Sequence, residues 1–142
     1  MKFVTDIRST KAMNLLADGS PWAEVCWYFP KTREQFRLSG TLTLISASCI
    51  DASYYKARQE AWQQMSDAGR IQFDWGTPGA DRSEDPQVFN PPQPDEYQPS
   101  VNFCLLLLDV MTVNHLELRG EPQSCYFYEL VAGLWTMRSI NP

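Results

Sequence analysis

The sequence predicts a mostly β, α+β fold: an antiparallel sheet of about six strands that closes into a small barrel, with two or three flanking helices. Three observations predict it. Segments rich in aromatic and β-branched residues outnumber helical ones, and most of the connections between them are short. Strands and helices do not alternate and no Gly-rich dinucleotide fingerprint is present, which disfavours a doubly wound α/β fold. Closure removes exposed sheet edges, and 142 residues suffice for one core but not comfortably for two, so a single domain over 1–142 is expected.

The elements follow in order. Lys2 to Thr5 is short and β-prone. It runs through Asp6-Ile7-Arg8-Ser9-Thr10-Lys11 into a helical segment at 12–18, with Ala12, Leu15 and Leu16 on its apolar face. Ser9 or Thr10 can cap this helix, and Asp18-Gly19-Ser20-Pro21 supplies its stop. Trp22 to Phe29 is aromatic and β-rich, and Pro30-Lys31-Thr32-Arg33 reads as a turn. Glu34 to Ile45 alternates, with Phe36, Leu38, Leu42 and Leu44 on one face and Gln35, Arg37, Ser39, Thr41 and Thr43 on the other, so the pair reads as a hairpin.

From 53 to 67 the period turns helical through Tyr54, Arg58, Ala61, Trp62 and Met65, with Gly69 just past the end. Residues 70–75 read as a strand because Ile71, Phe73 and Trp75 alternate. Segment 76–100 holds six of the ten prolines, five acids and one Arg, which predicts a long surface loop. Three β-rich segments follow at 101–111, 113–119 and 123–130, before the closing stretch 135–142.

The formal charge of −5 and pI near 4.8 argue against a nucleic-acid partner, which needs concentrated Lys and Arg. The longest apolar run, 103–108, is far shorter than the roughly 20 residues that span a bilayer. The N-terminus lacks the apolar stretch of a signal peptide, so the cytoplasm is the expected compartment. Cys26, Cys49, Cys104 and Cys125 are expected to be buried free thiols. No C-x-x-C pair occurs and His115 is the only histidine, so no metal site with paired His ligands is expected and His115 reads as an ordinary strand residue. Asp81, Glu84 and Asp85 sit in the proline-rich segment and read as solvated charge.

The stretch Phe3-Val4-Thr5-Asp6-Ile7-Arg8-Ser9-Thr10-Lys11 carries the clearest chemistry. It brings two cations, hydroxyls and unpaired backbone N–H groups to a helix N-terminus, an arrangement that binds phosphate. An ordinary capped helix with solvated cations has the same pattern. Gln35 and Arg37 share one strand face and suit a polar ring with several acceptors, such as an isoalloxazine; alone they are also ordinary surface residues. Trp135 and Arg138 stand in the closing stretch with the final Pro142.

These segments recur in a fixed order: Phe-Val-Thr-Asp-x-Arg-Ser-x-Lys at 3–11, Cys-Trp-Tyr-Phe-Pro at 26–30 and Glu-Gln-Phe-Arg-Leu-Ser-Gly at 34–40. Arg70-Ile71-Gln72-Phe73, Pro78-Gly79, the apolar strand at 103–108 and Trp135 to Pro142 follow. The order resembles the pyridoxamine 5′-phosphate oxidase-related family of FMN-binding split barrels, above all its less characterised branch common in cyanobacteria. The resemblance implies flavin mononucleotide (FMN) as cofactor, with its phosphate against Arg8, Ser9, Thr10 and Lys11 and a contribution from Thr5. It implies that Gln35 contacts the flavin ring from the partner subunit or its own, with Trp135 and Arg138 near the same pocket. It also implies a homodimer with cofactors at the interface and flavin-dependent oxidoreductase chemistry on a small molecule, with no catalytic residue assigned.

Two departures accompany it. Family members carry further strands ahead of the matched start, so the chain reads as N-terminally shortened. The segment 120–128 lacks the Arg and His with which the true oxidases receive their substrate's phosphate, so that activity is not assigned. The competing expectation is a non-catalytic, cofactor-free barrel that serves as a dimerisation or binding scaffold.

Overall fold

The computed structural model describes residues 1–17 and 21–142. Its elements are β1 (Lys2–Asp6), α1 (Thr10–Ala17), β2 (Trp22–Phe29), β3 (Glu34–Ile45), α2 (Ala52–Gln63), α3 (Asp67–Arg70), β4 (Phe103–Glu117), β5 (Ser124–Val131) and β6 (Leu134–Ile140). Short 3₁₀ turns lie at Ile71–Asp74 and Pro86–Phe89. Among the described residues the six strands form one antiparallel sheet in the order β2-β3-β4-β5-β6, with β1 also pairing with β4. The expected mostly β architecture, with about six strands and two or three helices, is present. The expected stop of α1 at Asp18-Gly19-Ser20 lies outside the described residues.

The chain divides into two compact units. One comprises Met1, Pro21–Leu42 and Leu108–Pro142 and is built from strands alone. Its β2–β3 hairpin pairs Trp22 with Thr41 through Phe29 with Glu34, and the four-residue turn between the strands closes with Arg33 at φ 60°. β5 and β6 are joined by Ala132 and Gly133, both at positive φ (49° and 82°), the two-residue turn whose twist matches that of the strands it connects. Gly40 is needed on β3 because a Cβ there would stand 1.9 Å from the backbone oxygen of Asp109.

The other unit, Lys2–Ser20 and Thr43–Leu107, contains the helices and an aromatic core. Trp62, Phe73 and Phe103 meet edge to face with centroids 5.1–5.8 Å apart. Ala12, Ile45, Leu105 and Leu106 are also buried. Arg58 is 3% exposed; its Nε and guanidinium donate to the Phe103 carbonyl (3.0 and 2.9 Å) and to that of Ser100 (2.7 Å). Asp51 caps α2, accepting from the N–H groups of Ser53 and Tyr54 at 2.9 and 3.0 Å.

Four expectations are corrected. Residues 70–75 are not a strand: Ser66 caps a new helical turn by accepting from Gly69 N–H, so Gly69 lies inside α3 and a 3₁₀ turn follows. Only Phe73 of the alternating trio is buried, and the alternation therefore reflects no sheet face. Segments 101–111 and 113–119 form the single strand β4, since Thr112 continues the ladder opposite Glu129 and no turn residue interrupts it. The closing stretch 135–142 contributes a strand of its own, β6, paired with β5. Of the four free thiols, Cys104 and Cys125 are buried, whereas Cys26 is exposed on β2 and Cys49 is half-buried.

The segment 76–100 holds no strand and only the 3₁₀ turn Pro86–Phe89. Its second half is tied down by α2, where the Trp62 indole donates to Asp95 O (2.9 Å) and the Gln59 amide to Tyr97 O (3.3 Å). No helix among the described residues is long and apolar enough to cross a membrane.

Candidate functional site

The helical unit carries Thr5, Arg8, Ser9, Thr10 and Lys11, from the end of β1 into the first turn of α1. Asp6 ends β1, and its carboxylate accepts from the Arg8 backbone N–H (2.7 Å), which folds the chain back on itself. The same carboxylate takes Arg8 Nε at 2.9 Å and a terminal nitrogen at 2.6 Å, a bidentate pair. The remaining guanidinium donors reach the carbonyls of Phe73 (3.1 Å) and Trp75 (3.2 Å). The hydrogen bond to Asp6 raises the Arg8 pKa above its ordinary value, against an opposing effect of burial. Arg8 is thus spent on shaping the turn, and its charge is balanced inside the turn.

Ser9 is the helix cap. Its Oγ accepts from Ala12 N–H at 3.3 Å and lies 3.0 Å from Thr5 Oγ1. Thr5 is 9% exposed, so its hydroxyl is buried against the cap. Thr10 and Lys11 occupy the first turn, are exposed, and find no acceptor for their backbone N–H groups among the described residues. Lys11 has no ion-pair partner there either. Unpaired N–H groups, the positive end of a helix and one uncompensated cation fit a phosphate monoester.

The all-strand unit carries Gln35, Arg37, Trp135 and Arg138. Gln35 lies on β3 opposite Tyr28, and Arg37 lies opposite Cys26. Arg37 is half-exposed and pairs with Glu24 (3.1 Å), whose other oxygen accepts from Ser39 Oγ (3.1 Å). Trp135 and Arg138 are three residues apart on β6, and strand alternation sends their side chains to opposite faces. Arg138 stacks over Phe127 at 4.9 Å, whereas Trp135 lines a cleft of about 280 Å³ with Phe36, Val113, His115 and Tyr128. Within this chain the two side chains therefore have different neighbours.

Of the residues lining that cleft, Trp135 alone is a sequence-predicted site residue. His115 is more than a plain strand residue. Its ring stacks on Phe36 (centroids 4.2 Å apart, 9° between planes), and its Nε2 lies 3.2 Å from Glu34 Oε1. Phe36 was legible as an apolar β3 position, but its pairing with His115 required the β3–β4 neighbourhood.

The family model described as pyridoxamine 5′-phosphate oxidase, FMN-binding domain, matches residues 1–46. That segment contains β1 to β3, and with them Thr5, Arg8, Ser9, Thr10, Lys11, Gln35 and Arg37. The chain is 32% identical over 142 residues to pyridoxine/pyridoxamine 5′-phosphate oxidase 2 of Arabidopsis thaliana, covering 97% of this chain and 70% of the plant protein. The chain belongs to the pyridoxamine 5′-phosphate oxidase-related family of FMN-binding proteins.

A solved member, a pyridoxamine 5′-phosphate oxidase-related, FMN-binding protein from Nostoc punctiforme, is 49% identical and superposes with a TM-score of 0.92 over 99% of this chain and 72% of its own. PhzG from Burkholderia lata, solved with tetrahydrophenazine-1-carboxylic acid, is 16% identical with a TM-score of 0.72 over 99% of this chain and 68% of its own, and shares the fold. The six antiparallel strands are those of the family's split barrel.

Proposed function

We propose that this family member holds FMN with its phosphate at the N-terminus of α1 and acts as an oxidoreductase on a small molecule. The observation that carries this reading is the division of labour in the Asp6–Lys11 turn. Arg8 is neutralised by Asp6, while Lys11 and the N–H groups of Thr10 and Lys11 stay available to an anion beside the paired Thr5 and Ser9 hydroxyls. Phosphate recognition then falls to Lys11, Thr10, Ser9 and Thr5, with Arg8 as the positioning residue. Gln35 and Arg37 are the groups offered to the flavin's polar edge, with Trp135 and Arg138 as further contacts on β6. When bound, the flavin supplies the electron transfer, and the protein holds and tunes its ring.

The reading is tested by titrating the purified chain with FMN and with riboflavin, which lacks the phosphate, for wild type and Lys11→Ala. Wild type is expected to prefer FMN. Lys11→Ala is expected to weaken FMN binding about tenfold, the loss of one charge-assisted contact, and to leave riboflavin unchanged. Equal FMN affinity in both proteins would overturn the phosphate assignment, and no flavin binding at all would favour the cofactor-free scaffold.

A homodimer is part of the proposal. The strand unit exposes Trp27, Phe29, Trp135 and Met137, large apolar side chains for a monomer to leave wet, and Trp27 and Phe29 stack at 5.2 Å. Light scattering on the purified chain tests it. The cytoplasm is the proposed compartment.

A further inference from the structure

Apart from the phosphate turn, the strand unit gathers three groups with metal-ligating atoms. Glu34 opens β3, and His115 and Glu117 lie two residues apart on β4, so strand alternation puts both on one face. Their ligand atoms all lie within 4.8 Å of one another, and the His115 Nε2 to Glu34 Oε1 distance is 3.2 Å. Bonds of about 2.0–2.2 Å to a zinc-like ion put neighbouring donor atoms roughly 3–4 Å apart. One pair already has that spacing.

Other features favour an ion there over a solvated cluster. The imidazole is 12% exposed and held face-on by Phe36, so its position is fixed before any ligand arrives. Glu117 is half-buried, yet its carboxylate has neither a hydrogen bond nor an ion pair among the described residues, although it points at the other two groups. The neighbouring cation, Arg119, donates a guanidinium hydrogen bond to the Lys31 carbonyl at 2.7 Å. As metal ligands, two carboxylates and one imidazole would carry about −2, which one divalent ion balances.

We propose that Glu34, His115 and Glu117 form a site for a single divalent ion of the zinc class. Three protein ligands leave a coordination position open to water or a small ligand. The ion would also tie β3 to β4. The site is independent of the flavin reading.

The test is calorimetric titration of the metal-stripped full chain with Zn²⁺, with Mg²⁺ for comparison, on wild type, Glu117→Gln, His115→Phe and Cys26→Ser. His115→Phe keeps a ring against Phe36, and Cys26→Ser removes the exposed thiol that could take zinc elsewhere. One Zn²⁺ per chain is expected, weakened tenfold or more in Glu117→Gln and His115→Phe, retained in Cys26→Ser, and not matched by Mg²⁺. Should His115→Phe fail to fold, Glu117→Gln alone decides. No uptake by wild type, uptake indifferent to Glu117→Gln, or uptake lost in Cys26→Ser would each overturn the site.

Discussion

The Asp6–Lys11 turn and the polar side of β3 carry similar residues and put them to opposite uses. In the turn, Arg8 reaches a carboxylate and two backbone carbonyls at 2.6–3.2 Å from a side chain 26% exposed. On β3, Arg37 makes one ion pair with Glu24 from side chains that are 55% and 45% exposed. The first guanidinium is a strut that sets the shape of a loop, and the second is a surface charge free to re-pair. A cation's usefulness to an anionic ligand therefore depends on what already holds it, and in the turn the ligand's share falls to Lys11.

This contrast orders the expected effects of breaking each region. Arg8→Ala should be the most damaging. It strips Asp6 of its bidentate partner and releases the carbonyls of Phe73 and Trp75, costing about 2 kcal/mol by thermal or denaturant unfolding. Affinity for FMN and riboflavin should fall together, because the turn itself deforms; a loss confined to FMN would mean that Arg8 meets the phosphate directly. Arg37→Ala should change stability by no more than about 0.5 kcal/mol, as exposed pairs do, and a larger loss would show β3 to be as fixed as the turn.

The smallest effect concerns Glu34. A hydrogen bond from Thr32 lowers its pKa most, His115 and Arg119 lower it further, and burial opposes them. A carboxylate depressed in the folded state stabilises above its ordinary value near 4.5 and loses that contribution as pH falls through the depressed value. Melting temperature followed from pH 6 to pH 3 should therefore fall less steeply in Glu34→Gln than in wild type. Parallel curves would show that the Thr32 and His115 contacts contribute nothing to folding.

Legibility in the sequence followed how local the cause was. β2 and β3 are found at Trp22–Phe29 and Glu34–Ile45, the bounds their composition and the Pro30–Arg33 turn implied. Ser9 caps α1 as its position before the helical segment suggested. The residues at 70–75 deceived because period-two apolarity is read as a strand, while the cap at Ser66 starts a helical turn by a bond that only coordinates reveal. β4 reads as two segments in the sequence because fifteen residues is long for a strand and Thr112 is an uninformative break. Arg8 was legible as a cation beside a helix end. Its engagement by carbonyls 65 and 67 residues away was not, because no local pattern encodes it. Glu34, His115 and Glu117 come together only when β3 and β4 lie side by side.

The tethering of the proline-rich segment makes its two halves unequal as places for evolution to add sequence. Asp95, Tyr97 and Ser100 each lend a carbonyl to a side chain of α2, so a residue gained or lost among them shifts that row of acceptors past fixed donors. Around Ala80 and Asp81 the backbone is exposed and carries no such bonds to α2, so additional residues can loop outward there and leave the helix where it is. Relatives that differ in this segment should therefore differ in length in its first half and keep their spacing in its second.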